Sequence, residues 1–190
     1  MRIILASKSP RRRELLGEIY EDFDIITAET DETLPHGVSL SEGVRLLAIR
    51  KGAAVLPLVS DGDMIISSDT LVELDGTPLG KPASEEEALE MLTRLSGRAH
   101  NVHTGVAIHY RGRVYSGTDT TAVHFREMTE REILDYIATG EPMDKAGSYG
   151  IQGLGGKFVL KYEGNYDTVV GLSLTLLRRL IKECEEYDEA

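Results

Sequence analysis

The first part of the chain alternates short apolar segments with helix-start signals, and this alternation most constrains the fold. Ile3 to Ala6 is an apolar strand, and Ser9-Pro10 then gives an N-cap residue followed by proline at the first helical position. Phe23 to Ile26 is a second candidate strand. A helix is predicted from Ser41 to about Leu56, because its apolar residues recur at helical spacing. Strands that alternate with helices are typical of α/β proteins.

Later strands are predicted to pair as hairpins. Met64 to Ser67 reads as a buried strand, and Leu71 to Leu74 forms another that runs into the turn signal Asp75-Gly76. The other predicted pairs are His100–Tyr110 with Val114–Phe125, joined at Arg111-Gly112, and Lys157–Tyr162 with Tyr166–Val170. Antiparallel pairs after an alternating start predict an α/β protein with a central mixed sheet flanked by helices.

Three further helices complete the prediction. They run from Ser84 to about Leu95, from Thr129 to about Gly140, and from about Ser173 onward. The first two open with Ser or Thr followed three residues later by Glu, which is the capping-box pattern. Size and composition, 190 residues of which 41% are hydrophobic, indicate one domain over residues 1–190. Its acidic tail, from about 183 to 190, is expected to be a solvated end.

Charge and hydropathy limit the partners. The net charge of −11 disfavours polymeric nucleic acid, whose affinity comes largely from phosphate neutralisation by Lys and Arg. No apolar run approaches the roughly 20 residues that cross a bilayer, so no membrane association is expected. The single cysteine, Cys184, is predicted to be exposed on the last helix and fits a reducing compartment. We therefore expect a cytoplasmic protein.

A cluster of arginines stands at the start of the first helix, in Ser9-Pro10-Arg11-Arg12-Arg13. A helix N-terminus already favours an anion, because its backbone N–H groups are unpaired and its dipole is positive there. Guanidinium groups add bidentate donors that suit a phosphate chain. The pattern indicates an anion site. The alternative is a solvated basic face that Glu14 and Glu18 compensate.

Asp69 and Lys51 are candidate site residues. Asp69 follows a buried strand within Ser67-Ser68-Asp69-Thr70, where it could bind Mg²⁺ or orient a water for attack on phosphorus. A turn-capping role is the alternative. Lys51 shares the helical spacing of the apolar stripe on its helix, where an anion would be a suitable partner for the ammonium. Snorkelling to solvent stays open as the other interpretation.

The segment from Gly140 to Gly153 concentrates glycines with polar side chains. Glycine allows close approach of the backbone to a ligand. Gln152 both donates and accepts hydrogen bonds, which suits a base edge, and Lys145 adds a cation. Lys81 is held beside a proline after the predicted hairpin. A plain connecting loop is the alternative interpretation.

Several separated motifs together resemble one family. They are Leu5-Ala6-Ser7-Lys8-Ser9-Pro10-Arg11-Arg12, Ser68-Asp69-Thr70, Leu79-Gly80-Lys81-Pro82, Leu95-Ser96-Gly97 and the segment from Gly140 to Gly153. In this order they resemble the Maf family of nucleoside triphosphate pyrophosphatases. The resemblance implies a fold like that of the inosine triphosphate pyrophosphatases, with two lobes around a nucleotide cleft. It also implies hydrolysis of a nucleoside triphosphate to a monophosphate and pyrophosphate.

The resemblance also implies roles for individual residues. Asp69 matches the family's proposed proton acceptor, and Arg11, Thr70 and Gln152 match positions linked to substrate choice. The residues that resemble cleft positions are Ser7, Glu32, Lys51, Lys81 and Lys145. A divalent cation, Mg²⁺ or Mn²⁺, is the implied cofactor, with Asp69 and Glu32 as its ligands. Within the family the Ser-Asp-Thr run and the Gln152 loop resemble the branch that acts on dTTP and UTP.

The chain departs from the family pattern at one position. Relatives often carry proline where this chain has Ser173, which should affect a helix start and not the chemistry.

Two rival functions stay open. A nucleotide-binding regulator of cell division or septum formation, without important turnover, is the first rival. A general phosphatase that releases orthophosphate is the second. A homodimer is a family-level expectation.

Overall fold

The computed structural model describes residues 1–188, which form a central seven-stranded mixed sheet with helices. The strands are β1 (Ile3–Leu5), β2 (Asp24–Ile25), β3 (Met64–Leu74), β4 (Thr77–Leu79), β5 (Ala99–Tyr110), β6 (Arg113–Phe125) and β7 (Val159–Glu163). The α-helices are α1 (Pro10–Gly17), α2 (Leu40–Ala53), α3 (Glu85–Leu95), α4 (Glu130–Ile137), α5 (Tyr166–Val170) and α6 (Leu174–Asp188). The predicted α/β class with a mixed sheet is confirmed.

The sheet order is β2-β1-β3-β5-β6-β7, with β4 paired to β3. β1 pairs in parallel with both β2 and β3, whereas β3 with β4 and β6 with β7 are antiparallel. Both predicted two-residue turns have positive φ at their two positions, 51° and 76° at Asp75-Gly76 and 48° and 71° at Arg111-Gly112. Such turns match the twist of the strands that they join.

Local capping signals fix the helix starts. The Ser9 side chain accepts a hydrogen bond from the backbone N–H of Arg12 and so caps α1. Ser84 caps α3 in the same way, and Thr129 forms the complete capping box of α4. The cap of α2 is Ser39, two residues before the predicted start.

Asp69 lies inside a strand and not after one, which corrects the prediction of two separate strands. β3 continues through Ser67 and Ser68, both of which are buried. The hydroxyl of Ser67 donates to the carbonyl of Ala48 at 2.7 Å, and that of Ser68 has two carbonyl acceptors at 2.9 Å. Because these buried hydroxyls are paired, polar residues can continue the strand.

Tyr166–Val170 forms helix α5, so the strand predicted there was wrong. Its β-branched residues favour a strand by propensity alone. Gly164 has a φ of 131°, and a Cβ there would lie 2.5 Å from the Thr121 hydroxyl oxygen. The chain therefore leaves β7 at a position that requires glycine, and tertiary context overrides propensity in the segment that follows.

Cys184 is buried, so its predicted exposure was also wrong. Its acidic neighbours suggested a solvated position. Leu177, Leu180 and Cys184 recur at helical spacing, and all three lie on the buried stripe of α6. The helix continues to Asp188, and the last two residues of the predicted acidic tail lie outside the described residues.

The chain divides into two compact units. The first comprises Met1–Asp69, Thr104–Asp119 and the chain from Gly171 onward; the second comprises Thr70–His103 and Thr120–Val170. One buried cluster of the first unit contains Ile4, Ala6, Val55 and Ile65. The core of the second unit is larger and includes a set of aromatic side chains, Phe125, Tyr136, Tyr149 and Phe158. Among residues 1–188, no helix is both long and apolar enough to cross a membrane.

Replacing Gly105 with alanine should destabilise the first unit. A Cβ at this position in β5 would lie 2.5 Å from the carbonyl oxygen of Val44 and 2.8 Å from the Cα of Arg45, both in the backbone of α2. Since backbone atoms must move to admit the methyl group, we expect Gly105→Ala to lower the free energy of unfolding by about 1–3 kcal/mol. Urea denaturation measures this change.

Gly17→Ala is the matched control. Gly17 ends α1, and a Cβ there would meet no heavy atom within 4 Å. We expect this variant to be equal to the wild type or more stable by up to about 1 kcal/mol, because alanine restricts the unfolded chain. Equal stability of the two variants would contradict the close approach of β5 to α2.

Candidate functional site

The centre of the candidate site is an ion pair in the first unit. The Lys51 ammonium Nζ lies 2.5 Å from Oδ1 of Asp69 and 2.8 Å from Oε1 of Glu32. The side chains of Lys51 and Asp69 are only 16% and 15% exposed, whereas that of Glu32 is 62% exposed. One half-buried cation therefore joins two carboxylates, as the predicted inward position of Lys51 implies.

Two regular elements position the pair. Lys51 stands on α2 one turn after the buried residues Leu47 and Ala48, so the helix face that enters the core also carries the lysine. Asp69 is fixed by β3, where Ser68 donates to the carbonyl of Gly105 or Gly171. A helix and a strand hold a functional group more rigidly than loops do.

Arg12, on α1, belongs to the same cluster of charges as Lys51, Asp69 and Glu32. Its Nε donates to the carbonyl of Gly171 at 2.8 Å, and its Nη1 donates to the Ser7 hydroxyl at 3.3 Å. Ser7 is itself buried and also accepts from the backbone of Ser9. The guanidinium is thus oriented on two sides by protein oxygens.

Electrostatics connect Arg12 to the ion pair. Burial lowers the pKa of the Arg12 guanidinium, while Asp69 and, to a smaller extent, Glu32 oppose that shift and neighbouring Arg11 adds to it. Arginine remains a cation at neutral pH even after such a shift. Two carboxylates and at least two cations therefore share this part of the first unit.

Among the three arginines at the start of α1, the family resemblance links Arg11 to substrate choice. In the structure Arg11 and Arg12 are both partly exposed and Arg13 is exposed, and the Arg12 guanidinium is held by its hydrogen bonds to Gly171 and Ser7. The signal that could have indicated Arg12 is its place at the third helical position after the Ser9 cap. Its acceptor Gly171, however, is 159 residues away in sequence, and no local pattern reveals that contact.

The cluster has the donors for a divalent cation. Asp69 and Glu32 supply carboxylate oxygens, and Mg²⁺ is commonly held by one or two carboxylates together with substrate phosphates. Within residues 1–188, no group of three or more His, Cys, Asp or Glu side chains gathers as a metal site. The donor set therefore suits a cation that completes its coordination with phosphate oxygens and water.

The second unit carries the other predicted residues. Lys145 donates from Nζ to the carbonyl of Glu141 at 2.8 Å and to Oδ1 of Asp144 at 2.6 Å. The backbone N–H of Gly147 donates to the carbonyl of Gly80 at 3.0 Å, which joins the segments of Lys145 and Lys81. Gln152 and Thr70, which are linked to substrate choice, also belong to this unit. Gln152 is exposed, and Thr70 is partly buried.

The chain is similar to known proteins over nearly its whole length. The family model described as Maf-like protein matches residues 2–184. A protein of Desulfitobacterium hafniense is 48% identical over 182 residues, covering 93% of this chain and 82% of its own. Proteins of Bacillus cereus and Bdellovibrio bacteriovorus are 46% and 42% identical over 187 residues; they cover 98% and 95% of this chain, and 96% and 97% of their own lengths. Each of the three is named dTTP/UTP pyrophosphatase.

A solved structure shares the fold. The Staphylococcus aureus Ham1 protein aligns with a TM-score of 0.51 and 17% identity, covering 100% of this chain and 98% of its own. At that identity the likeness concerns the fold alone, and it agrees with the expected architecture.

Lys51→Met should destabilise the protein. It leaves Asp69 half-buried without its bonded cation, and uncompensated charge costs free energy in proportion to its burial. We expect the free energy of unfolding to fall by about 1–3 kcal/mol, a range reduced for the remaining exposure of the pair. Chemical denaturation at pH 7 measures the loss.

Lys182→Met is the control for that substitution. The Lys182 side chain is 75% exposed on α6, where it pairs with Glu186 one helical turn later. Exposed pairs of this kind contribute at most about 0.5 kcal/mol. If both lysine variants lose the same small free energy of unfolding, the ion pair of Lys51 stabilises the protein no more than an exposed pair does.

Proposed function

We propose that this chain, which belongs to the Maf-like protein family, hydrolyses nucleoside triphosphates, dTTP and UTP first among them, to monophosphate and pyrophosphate. The observation that carries the proposal is the half-buried Lys51–Asp69 pair with Arg12 beside it. A carboxylate and fixed cations are the groups that phosphoryl transfer requires. The shared name of the three relatives supports the choice of dTTP and UTP.

The cations bind the phosphates in this proposal. Arg11, Arg12 and Lys51 neutralise phosphate oxygens, and the contacts of Arg12 with Gly171 and Ser7 hold its guanidinium ready. Preorganised donors stabilise developing charge without reorganisation during the reaction. Local cations therefore offset the acidic net charge of −11 at this one place.

Asp69 orients the attacking water. The water oxygen bonds to the α-phosphorus as the bond from that phosphorus to the bridging oxygen breaks, and pyrophosphate leaves. The proton of the water passes to Asp69 or to solvent. A carboxylate is a weak base at neutral pH, so positioning contributes more than proton removal.

A divalent cation fits the carboxylates of Asp69 and Glu32. We propose Mg²⁺ or Mn²⁺, which when bound would draw negative charge from the phosphates. Lys51 bonds to both carboxylates, so its ammonium would be available to a phosphate oxygen when these carboxylates held the cation.

The residues of the second unit are assigned by their chemistry and by the family resemblance. Lys81 and Lys145 suit phosphate oxygens, and Thr70 and Gln152 suit the choice of nucleoside. In support, the Lys145 side chain is only 15% exposed and is fixed by two hydrogen bonds, and Gln152 is exposed for contact with a ligand.

The two rival functions have less support. A regulator without turnover needs cations but no oriented carboxylate, and the relatives carry the name of an enzyme. A general phosphatase would attack the terminal phosphate. Cytoplasmic location, a homodimer, and the absence of nucleic-acid and membrane partners stay predictions.

Asp69→Asn should abolish turnover in a folded protein. The amide keeps the size of the side chain but loses the charge that orients water and binds a cation, so we expect pyrophosphate release to fall at least about 10²-fold. The assay offers all common nucleoside triphosphates with Mg²⁺ or Mn²⁺ and measures pyrophosphate and orthophosphate separately. Circular dichroism checks the fold.

Asp61→Asn is the matched control, since Asp61 is an exposed carboxylate of the same unit. It should turn over dTTP like the wild type. Wild-type turnover by Asp69→Asn contradicts the role of Asp69. Orthophosphate as the product supports the phosphatase, and tight binding without any product supports the regulator.

A further inference from the structure

Glu141 stands at the centre of a hydrogen-bond network in the second unit. Its Oε1 accepts from the Tyr136 hydroxyl at 2.8 Å and from the backbone N–H of Gly155 at 3.1 Å. Its Oε2 accepts from the backbone N–H of Leu154 at 2.9 Å. The Glu141 carboxylate therefore connects Glu141 to Leu154 and Gly155, which are more than ten residues away in sequence.

Packing confirms that the loop is fitted to this carboxylate. A Cβ at Gly153 would lie 2.5 Å from Glu141 Oε2, so a side chain at this position would displace the carboxylate from its hydrogen bonds. The buried Tyr136 ring fixes its hydroxyl, which also accepts from the backbone N–H of Gly150 at 3.2 Å. The segment from Gly150 to Gly155 is thus tied to Glu141 directly and through Tyr136.

Glu141 is ionised in this network. Burial raises the pKa of its carboxyl group, but the hydrogen bonds from Leu154, Gly155 and Tyr136 outweigh that effect and lower the pKa overall. Its backbone carbonyl, in addition, accepts from Nζ of Lys145. The same residue therefore positions both the lysine and the segment that carries Gln152.

The orientation of a glutamine amide matters for reading a pyrimidine. Thymine and uracil present an N3–H donor beside the O4 acceptor, whereas cytosine presents an N3 acceptor beside an amino donor. A Gln amide offers one donor and one acceptor, and turning it over exchanges the two. An amide on a loosely held segment can therefore satisfy either base, while one held in a single orientation favours one.

We propose that Glu141 is a positioning residue that fixes the segment from Gly150 to Gly155, so that the Gln152 amide discriminates uracil and thymine nucleotides from cytosine nucleotides. This inference rests on the proposed function. Glu141 itself touches the loop and not the substrate. It acts on selection through the backbone of residues on either side of Gly153.

Glu141→Gln tests the proposal. The amide replaces one acceptor oxygen with a donor that faces a backbone N–H, so at least one loop hydrogen bond is lost. We expect amide hydrogen exchange at Leu154 and Gly155 to accelerate about tenfold in the absence of substrate, the equivalent of one hydrogen bond. We also expect the ratio of kcat/KM for dTTP to that for dCTP to fall about tenfold. KM for dTTP should rise more than kcat falls.

Two further variants make the test specific. Glu90→Gln removes an exposed carboxylate on α3 of the same unit. It should change neither the amide hydrogen exchange at Leu154 and Gly155 nor the ratio of kcat/KM for dTTP to that for dCTP. Tyr136→Phe keeps the carboxylate but removes the hydroxyl that contacts both Glu141 and Gly150, and should have a smaller effect in the same direction. Tyr136→Phe also tests the proposal if Glu141→Gln does not fold.

The outcomes separate this proposal from the proposed function. Faster exchange with an unchanged dTTP to dCTP ratio would mean that Glu141 only stabilises the loop, which overturns the proposal. Unchanged exchange overturns it as well. If the wild type turns over no triphosphate, the proposed function fails, and the ratio of dissociation constants for dTTP and dCTP then decides the role of Glu141 by the same criterion.

Discussion

The ion pair between Lys51 and Asp69 is the interaction on which the proposed chemistry depends. It requires a lysine on the core face of α2 and an aspartate inside the buried strand β3. Both side chains are mostly buried, and each offsets the charge of the other. The paired hydroxyls of Ser67 and Ser68 allow β3 to stay buried up to the carboxylate. The polar site is therefore built into the sheet and not added on a loop.

Charge balance explains how an acidic protein can bind a triphosphate. The chain has a net charge of −11, whereas Lys51 and Arg12 are cations that specific oxygen acceptors hold in the first unit. The Asp69 and Glu32 carboxylates hold the Lys51 ammonium, and the Gly171 carbonyl and the Ser7 hydroxyl hold the Arg12 guanidinium. The guanidinium and ammonium groups would bind phosphate oxygens, and the Asp69 and Glu32 carboxylates would hold a divalent cation.

Local signals predicted most of the elements, and contacts distant in sequence account for the errors at β3 and α5. The Ser9 cap, the Thr129 capping box and the Asp75-Gly76 turn each depend on neighbours within four residues, and all three are present. The continuity of β3 depends instead on hydroxyl bonds to Ala48 and Gly105. The ordered position of Arg12 likewise depends on Gly171. Lys51, Asp69 and Glu32 could be proposed from the sequence, but their mutual contact could not.

A double-mutant cycle in steady-state kinetics tests most directly whether Lys51 and Asp69 act as one unit. The kcat/KM for dTTP is measured for the wild type, Lys51→Met, Asp69→Asn and the double variant. Residues that act as a unit are strongly non-additive. We expect the double variant to be no slower than the slower single variant, within about threefold. Losses that multiply would show that the two residues contribute independently and would contradict the central role of their ion pair.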